Sequence, residues 1–175
     1  MNKKTIYIIV AVLVVVIVVA GAAILLMNNS GGGGTTPTPT PAPVSVVGAT
    51  SLQFTVNETT SGGAPVTYNY ATKNFNASNE MLRVDIPGGA AGNYSYIIKL
   101  ADSTSFLSTD NGATWTASSF ATDANFATLL NDYVTKLQNW NGHDATYTYT
   151  SGAITNVISA IHVNPSLADS LFATS

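Results

Sequence analysis

An antiparallel α+β domain held outside a membrane is the architecture this sequence predicts. Three observations predict it: an uninterrupted apolar run from Ile6 to Met27, period-two alternation through most of the chain after Val44, and one segment with apolar residues at helical spacing. On this reading residues 1–5 are a cytoplasmic N-terminus, 6–27 a transmembrane anchor, 28–43 a Gly/Thr/Pro linker and 44–175 an extracellular α+β domain. That domain is expected to be a curved antiparallel β-sheet, a half-barrel, with one main amphipathic helix packed on it.

At 1.5 Å per residue the run from Ile6 to Met27 makes a helix of roughly 33 Å, long enough to cross a bilayer. Lys3 and Lys4 flank its N-terminal side and no basic residue follows before Lys73, so positive charge places the N-terminus in the cytoplasm and the rest of the chain outside a cell membrane crossed once. A secretory signal cleaved after Ala22, at Ala20-Gly21-Ala22, is the alternative; Ile24-Leu25-Leu26-Met27 carries the apolar run past that site, and either version exports the domain. A pilin-type leader would want a small residue where Lys4-Thr5-Ile6 has none. The linker, NNSGGGGTTPTPTPAP, joins a flexible Gly31–Gly34 swivel to an extended Thr-Pro stem that would hold the domain ~25 Å off the surface.

The chain has no cysteine, which excludes a lipobox, a disulfide frame, a thiolate zinc site and a cysteine nucleophile. Beyond the anchor, Lys73, Arg83, Lys99 and Lys136 face nine acidic residues, a balance that argues against a nucleic-acid partner or an anionic headgroup surface. Sequons at Asn28, Asn57, Asn76 and Asn93 are no more frequent than this Asn-, Ser- and Thr-rich composition produces by chance.

Four strands follow from the alternation. Leu52, Phe54 and Val56 share one face, as do Val66, Tyr68 and Tyr70, then Leu82, Val84 and Ile86, then Tyr94, Tyr96, Ile98 and Leu100. Turn chemistry separates them at Ser61-Gly62-Gly63, Asn76–Asn79 and Pro87–Gly92, which makes an antiparallel meander. Phe126, Leu129, Leu130, Tyr133, Leu137 and Trp140 then fall at helical spacing, predicting about 17 residues of helix capped by Thr122 or Asp123 and stopped at Asn141-Gly142. His143–Thr150 and Ala153–Val163 read as a closing hairpin that turns at Ser151-Gly152.

Ser108-Thr109-Asp110-Asn111-Gly112-Ala113-Thr114-Trp115 resembles the Asp-box, S-x-D-x-G-x-T-W, of sialidases and related propellers. Its mechanics are those of a hairpin: Asp110 accepts backbone N–H groups, Gly112 takes positive φ and Trp115 packs back. One box and a single arginine, Arg83, do not make a sialidase. A turn at Ser151-Gly152 would set His143 opposite Ala160 and His162 opposite Asn141, diagonal on one face, unless a bulge near Ser159 sends His162 to the other; without a third ligand no metal site is expected. Arg83 and Asp85, two apart on one strand, read as a sheet-face ion pair. No cofactor is implied, and no nucleophile stands beside a base, so an enzyme is not expected.

Tyr68, Tyr70, Tyr94 and Tyr96 share the apolar faces of neighbouring strands, and Tyr147 and Tyr149 extend them. Either their hydroxyls leave at the sheet edges, or they line a wall that water or a ligand reaches. Candidate cavity residues are accordingly Phe54, Tyr68, Tyr70, Leu82, Val84, Tyr94, Tyr96, Ile98, Leu130 and Tyr133.

At the C-terminus, Ile154-Thr155-Asn156-Val157 followed by Val163-Asn164-Pro165-Ser166-Leu167-Ala168-Asp169-Ser170-Leu171-Phe172 resembles the closing strand and ending of the outer-membrane lipoprotein carrier superfamily, and the order of elements before it is similar. The resemblance, over roughly Ala49 to Phe172, implies a half-open barrel wrapped on helices around an apolar, acyl-chain-holding cavity. Two departures accompany it: one clear helix, and an anchor where carriers diffuse. The expected function is therefore a membrane-anchored module that binds a lipid or other apolar ligand between sheet and helix. The alternative is a structural or adhesive surface module with a packed core.

Overall fold

The chain's computed structural model describes residues 42–89 and 92–174; the predicted anchor, and the predicted linker as far as Pro41, lie outside them. Among the described residues no helix is long and apolar enough to cross a membrane. Strands β1 (Ser51–Thr60), β2 (Val66–Lys73), β3 (Met81–Gly89), β4 (Gly92–Lys99), β5 (Thr104–Ser108) and β6 (Thr116–Ala117) are followed by helices α1 (Phe120–Asp123) and α2 (Asn125–Leu137), then by β7 (Thr146–Ser151) and β8 (Ile154–Val163). All eight strands form one antiparallel sheet in the order β6-β5-β4-β3-β2-β1-β8-β7. The first six make a meander, and the closing hairpin docks β8 on the free edge of β1.

Period-two alternation places the even-numbered residues of β1 to β4 on one face, and the register lines them up in rows. Leu52, Thr72, Leu82, Ile98 and Ser105 form one row; Phe54, Tyr70, Val84, Tyr96 and Leu107 form the next. Helix α2 buries Leu130, Tyr133, Val134 and Leu137 against these rows, with Leu52, Phe54, Val56, Leu82, Val84, Ile98 and Ile158 in the same cluster. The spacing 130, 133/134, 137 is one helical stripe, and its burial on the sheet supplies what an isolated 13-residue helix lacks. On the opposite face Arg83 holds the C-terminal 3-10 turn Asp169–Phe172: its Nη1 donates to the Leu171 carbonyl at 3.1 Å, and its Nε contacts both oxygens of Asp85 at 3.0 Å. Phe172 is buried there.

Several boundaries differ from the sequence expectation. The helical segment starts at Phe120, a turn earlier than Thr122 or Asp123 as a cap would allow. Asp123 is buried instead, accepting from Ser105 Oγ at 2.8 Å, while the Ser119 carbonyl takes the N–H groups of Thr122 and Asp123 at 3.0 Å. β3 runs on through Pro87 to Gly89 by way of a register shift after Ile86, where Gly88 at φ +67° donates its N–H to Asn93 Oδ1 at 2.7 Å. Leu100 lies one residue past β4, and Val66 and Leu129, expected on apolar faces, are exposed.

The closing hairpin is also shifted. Ser151 pairs with Ile154, so the turn centres on Gly152 and Ala153, and Gly152 at φ +60° permits it. His143 therefore does not face Ala160; it lies in the loop before β7, where Asn141 Oδ1 accepts the N–H groups of His143 and Asp144 at 2.9 Å. β8 changes register against β1 between Ser159 and His162, with Ala160 at φ +49°, so the bulge weighed for this strand is present.

Candidate functional site

Nine of the ten candidate cavity residues are brought together in or against one packed cluster; Tyr94 is not. Phe54, Tyr70, Leu82, Val84, Ile98, Leu130 and Tyr133 are buried in the main cluster, and Tyr68 and Tyr96 pack against it. Phe54 stacks on Tyr70 with centroids 5.5 Å apart, and Tyr133 meets both edge-on at 6.3 and 5.5 Å. Tyr96 covers Phe126 at 4.9 Å. Tyr94 is half-buried outside this cluster, beside a small depression that also includes Arg83, Asp85 and Asn111.

Open space lies two rows beyond Phe54, past the row of Val56 and Tyr68. The register sets Glu58 of β1 opposite Asn156 of β8, and Asn156 opposite Tyr149 of β7, so three neighbouring strands present one polar-aromatic row. Helix α2 supplies Leu129, Asp132, Tyr133 and Lys136, a stripe beside its core stripe. Together these residues, with Ile154, line a cleft of about 410 Å³. Tyr133 belongs to both stripes. Its hydroxyl donates to Glu58 Oε2 at 3.4 Å, and the hydroxyl of the neighbouring Tyr70 is buried without a partner.

The cleft sets two carboxylates among hydroxyl donors and one ammonium, that of Lys136. Burial, then Glu58, pushes the Tyr133 phenol above the ordinary tyrosine range, and burial, then Asp132 and Glu58, pushes Tyr149 up to about 12. Burial first, then Glu58, raises Tyr68 as well. These phenols are protonated donors at neutral pH. Asn156 is 4% exposed, and its amide oxygen has no hydrogen-bond partner. Lys136 places its Nζ 5.8 Å from the centre of the Tyr149 ring.

Sequence reasoning missed Glu58, Asn156, Asp132 and Lys136. A signal was there: Glu58 continues the inward phase of Leu52, Phe54 and Val56, and Asn156 shares the phase of Ile154 and Ile158, so each is a polar residue at a core-facing position. The two histidines border a separate depression of about 610 Å³ with Trp140, Asp144 and Pro165; among the described residues no group of three His, Asp or Glu side chains could hold one ion. Of the described sequons, Asn57 accepts from Thr67 Oγ1 at 2.7 Å and Asn93 from Gly88, while Asn76 is exposed in its turn.

Fold and cleft define an open antiparallel sheet with one helix-covered face and a polar-aromatic groove at the side of that helix. No protein-family model, no curated protein and no solved structure matches this chain.

Proposed function

We propose that the chain is a membrane-anchored extracytoplasmic binding module that takes a lipid or other apolar ligand between sheet and helix, in the cleft beside α2. The observation that carries this is the cleft itself: about 410 Å³ walled by Leu129, Tyr133, Tyr149 and Ile154, with Glu58, Asp132 and Asn156 as its polar side. Such a lining suits an amphipathic molecule. The apolar run at residues 6–27, with Lys3 and Lys4 before it, supports a single-pass anchor with the domain outside the cell membrane. The carrier-like ending supports reading the sheet as a half-barrel, but a tethered domain presents or accepts its ligand locally instead of diffusing with it. That Thr135 Oγ1 in the cleft donates to the Asn131 carbonyl instead of to a base supports a binding reading over a catalytic one.

Native mass spectrometry of the full chain released from host membranes is expected to show a bound apolar ligand that an Ile154→Arg variant loses. A signal equal in both belongs to the anchor, and a ligand-free wild-type mass would sink the proposal. The filled Phe54–Tyr70–Tyr133 interface favours a second reading, a structural or adhesive surface module. That reading predicts binding to cells, glycans or second copies with no bound lipid.

A further inference from the structure

We infer that the cleft beside α2 is built for an organic cation, a protonated primary amine carried on an apolar body. The inference rests on the binding function proposed above and names the head group of its ligand. Two carboxylates, of Glu58 and Asp132, and the side chain of Asn156 border the cleft. Asn156 is the decisive one, because its amide oxygen is buried with no partner and forgoes a hydrogen bond, one that an N–H supplied from the cleft restores once the side chain turns towards it. A primary ammonium brings three donors and one positive charge, which matches an orphaned acceptor in a cleft bordered by two carboxylates.

The aromatic walls point the same way. Tyr133 and Tyr149 line the cleft, and the chain already parks one ammonium there, since Lys136 Nζ lies over the Tyr149 ring and forms no salt bridge among the described residues. Lys136 thus acts as an internal stand-in that a ligand amine displaces. An anionic head would meet Glu58 and Asp132 at close range in a domain where acidic residues outnumber basic ones. A neutral hydroxyl could satisfy Asn156 but would leave both carboxylates without a counter-charge.

The test compares three water-soluble probes of similar size, phenethylammonium, phenethyl alcohol and phenylpropanoate, titrated into the full chain in nanodiscs, with empty nanodiscs subtracted. Phenethylammonium is expected to shift the NMR signals of Tyr133, Tyr149 and Ile154 and to bind roughly tenfold tighter than the alcohol, with affinity falling as salt rises. Glu58→Gln is expected to cost roughly tenfold. Asp132→Asn, at an exposed helix position where folding is not at stake, weakens binding by a smaller factor. Lys136→Gln, which removes the competing ammonium, tightens it. Equal binding of amine and alcohol overturns the head-group inference while leaving the cleft as a binding site. Amine binding untouched by both carboxylate variants overturns it as well. If none of the three probes moves the cleft signals, the cleft reading fails and the inference fails with it.

Discussion

Asp110 shows how much one side chain can organise. Its carboxylate accepts Ser108 Oγ at 2.6 Å, the Thr114 N–H at 2.9 Å and Thr114 Oγ1 at 2.7 Å, while its carbonyl takes the Ala113 N–H at 3.3 Å. Asn111 and Gly112 turn through positive φ, and Gly112 sits against the Trp115 ring. The hydrogen bonds from Ser108 and Thr114 hold the Asp110 carboxyl down at about 2. Its folded pKa is below the unfolded value, so its contribution is full above the ordinary carboxylate range and lost as pH falls from about 4 towards 2. Glu80 works in the opposite sense. Burial raises it despite donors from Asn76 N–H and Thr72 Oγ1, so its contribution is present at low pH and lost as pH rises through the raised value. Jointly these two groups favour stability near about pH 4. Asp110→Asn is expected to lower the thermal midpoint at pH 7 and to flatten the profile between about pH 4 and 2. A profile unchanged by the substitution would show that the hairpin does not depend on that carboxylate.

At the scale of elements, the alternation of Leu52, Phe54 and Val56 and of Leu82 and Val84 specified inward faces correctly because period two is a geometric property of any strand. The helical stripe at Leu130, Tyr133 and Leu137 was legible for the same reason. Register was less so: the two-residue turn at Gly152-Ala153 and its rival at Ser151-Gly152 use similar turn chemistry, and only packing of β8 on β1 distinguishes them. The open cleft was harder still, since its row of Glu58, Asn156 and Tyr149 joins strands nearly a hundred residues apart in sequence. What the alternation located instead was the space beneath α2, which Phe54, Tyr70 and Tyr133 occupy. Ile98 measures how well that space is filled. It is fully buried in the row with Leu82 and Thr72, so Ile98→Trp should overpack the interface and cost ~1–3 kcal/mol of stability in urea unfolding. An Ile98→Trp protein as stable as the parent would reveal hidden room under the helix.

The whole domain is organised along β1. At its Ser51 end the chain arrives past Val44, whose N–H donates to the Gly142 carbonyl at 3.5 Å, and Asn164 Oδ1 accepts the Thr50 N–H at 2.7 Å. At the other end Glu58 borders the cleft, roughly 23 Å away at strand rise. Val44 therefore enters the domain at the end of β1 remote from the cleft. Gly142 is the residue on which that arrangement closes. It has φ +77°, and a Cβ there would stand 2.4 Å from the Val44 carbonyl oxygen and 2.6 Å from its nitrogen, both backbone atoms that cannot rotate away. Gly62 has the same φ of +77° with nothing within 4 Å, which makes it an internal control. Gly62→Ala should cost only the left-handed backbone penalty, ~1–2 kcal/mol. Gly142→Ala should exceed it by a further ~1–3 kcal/mol, and because the incoming segment must move aside, proteolysis near Val44 should accelerate. Equal losses at the two positions in denaturant unfolding would mean that Val44 is not held against Gly142.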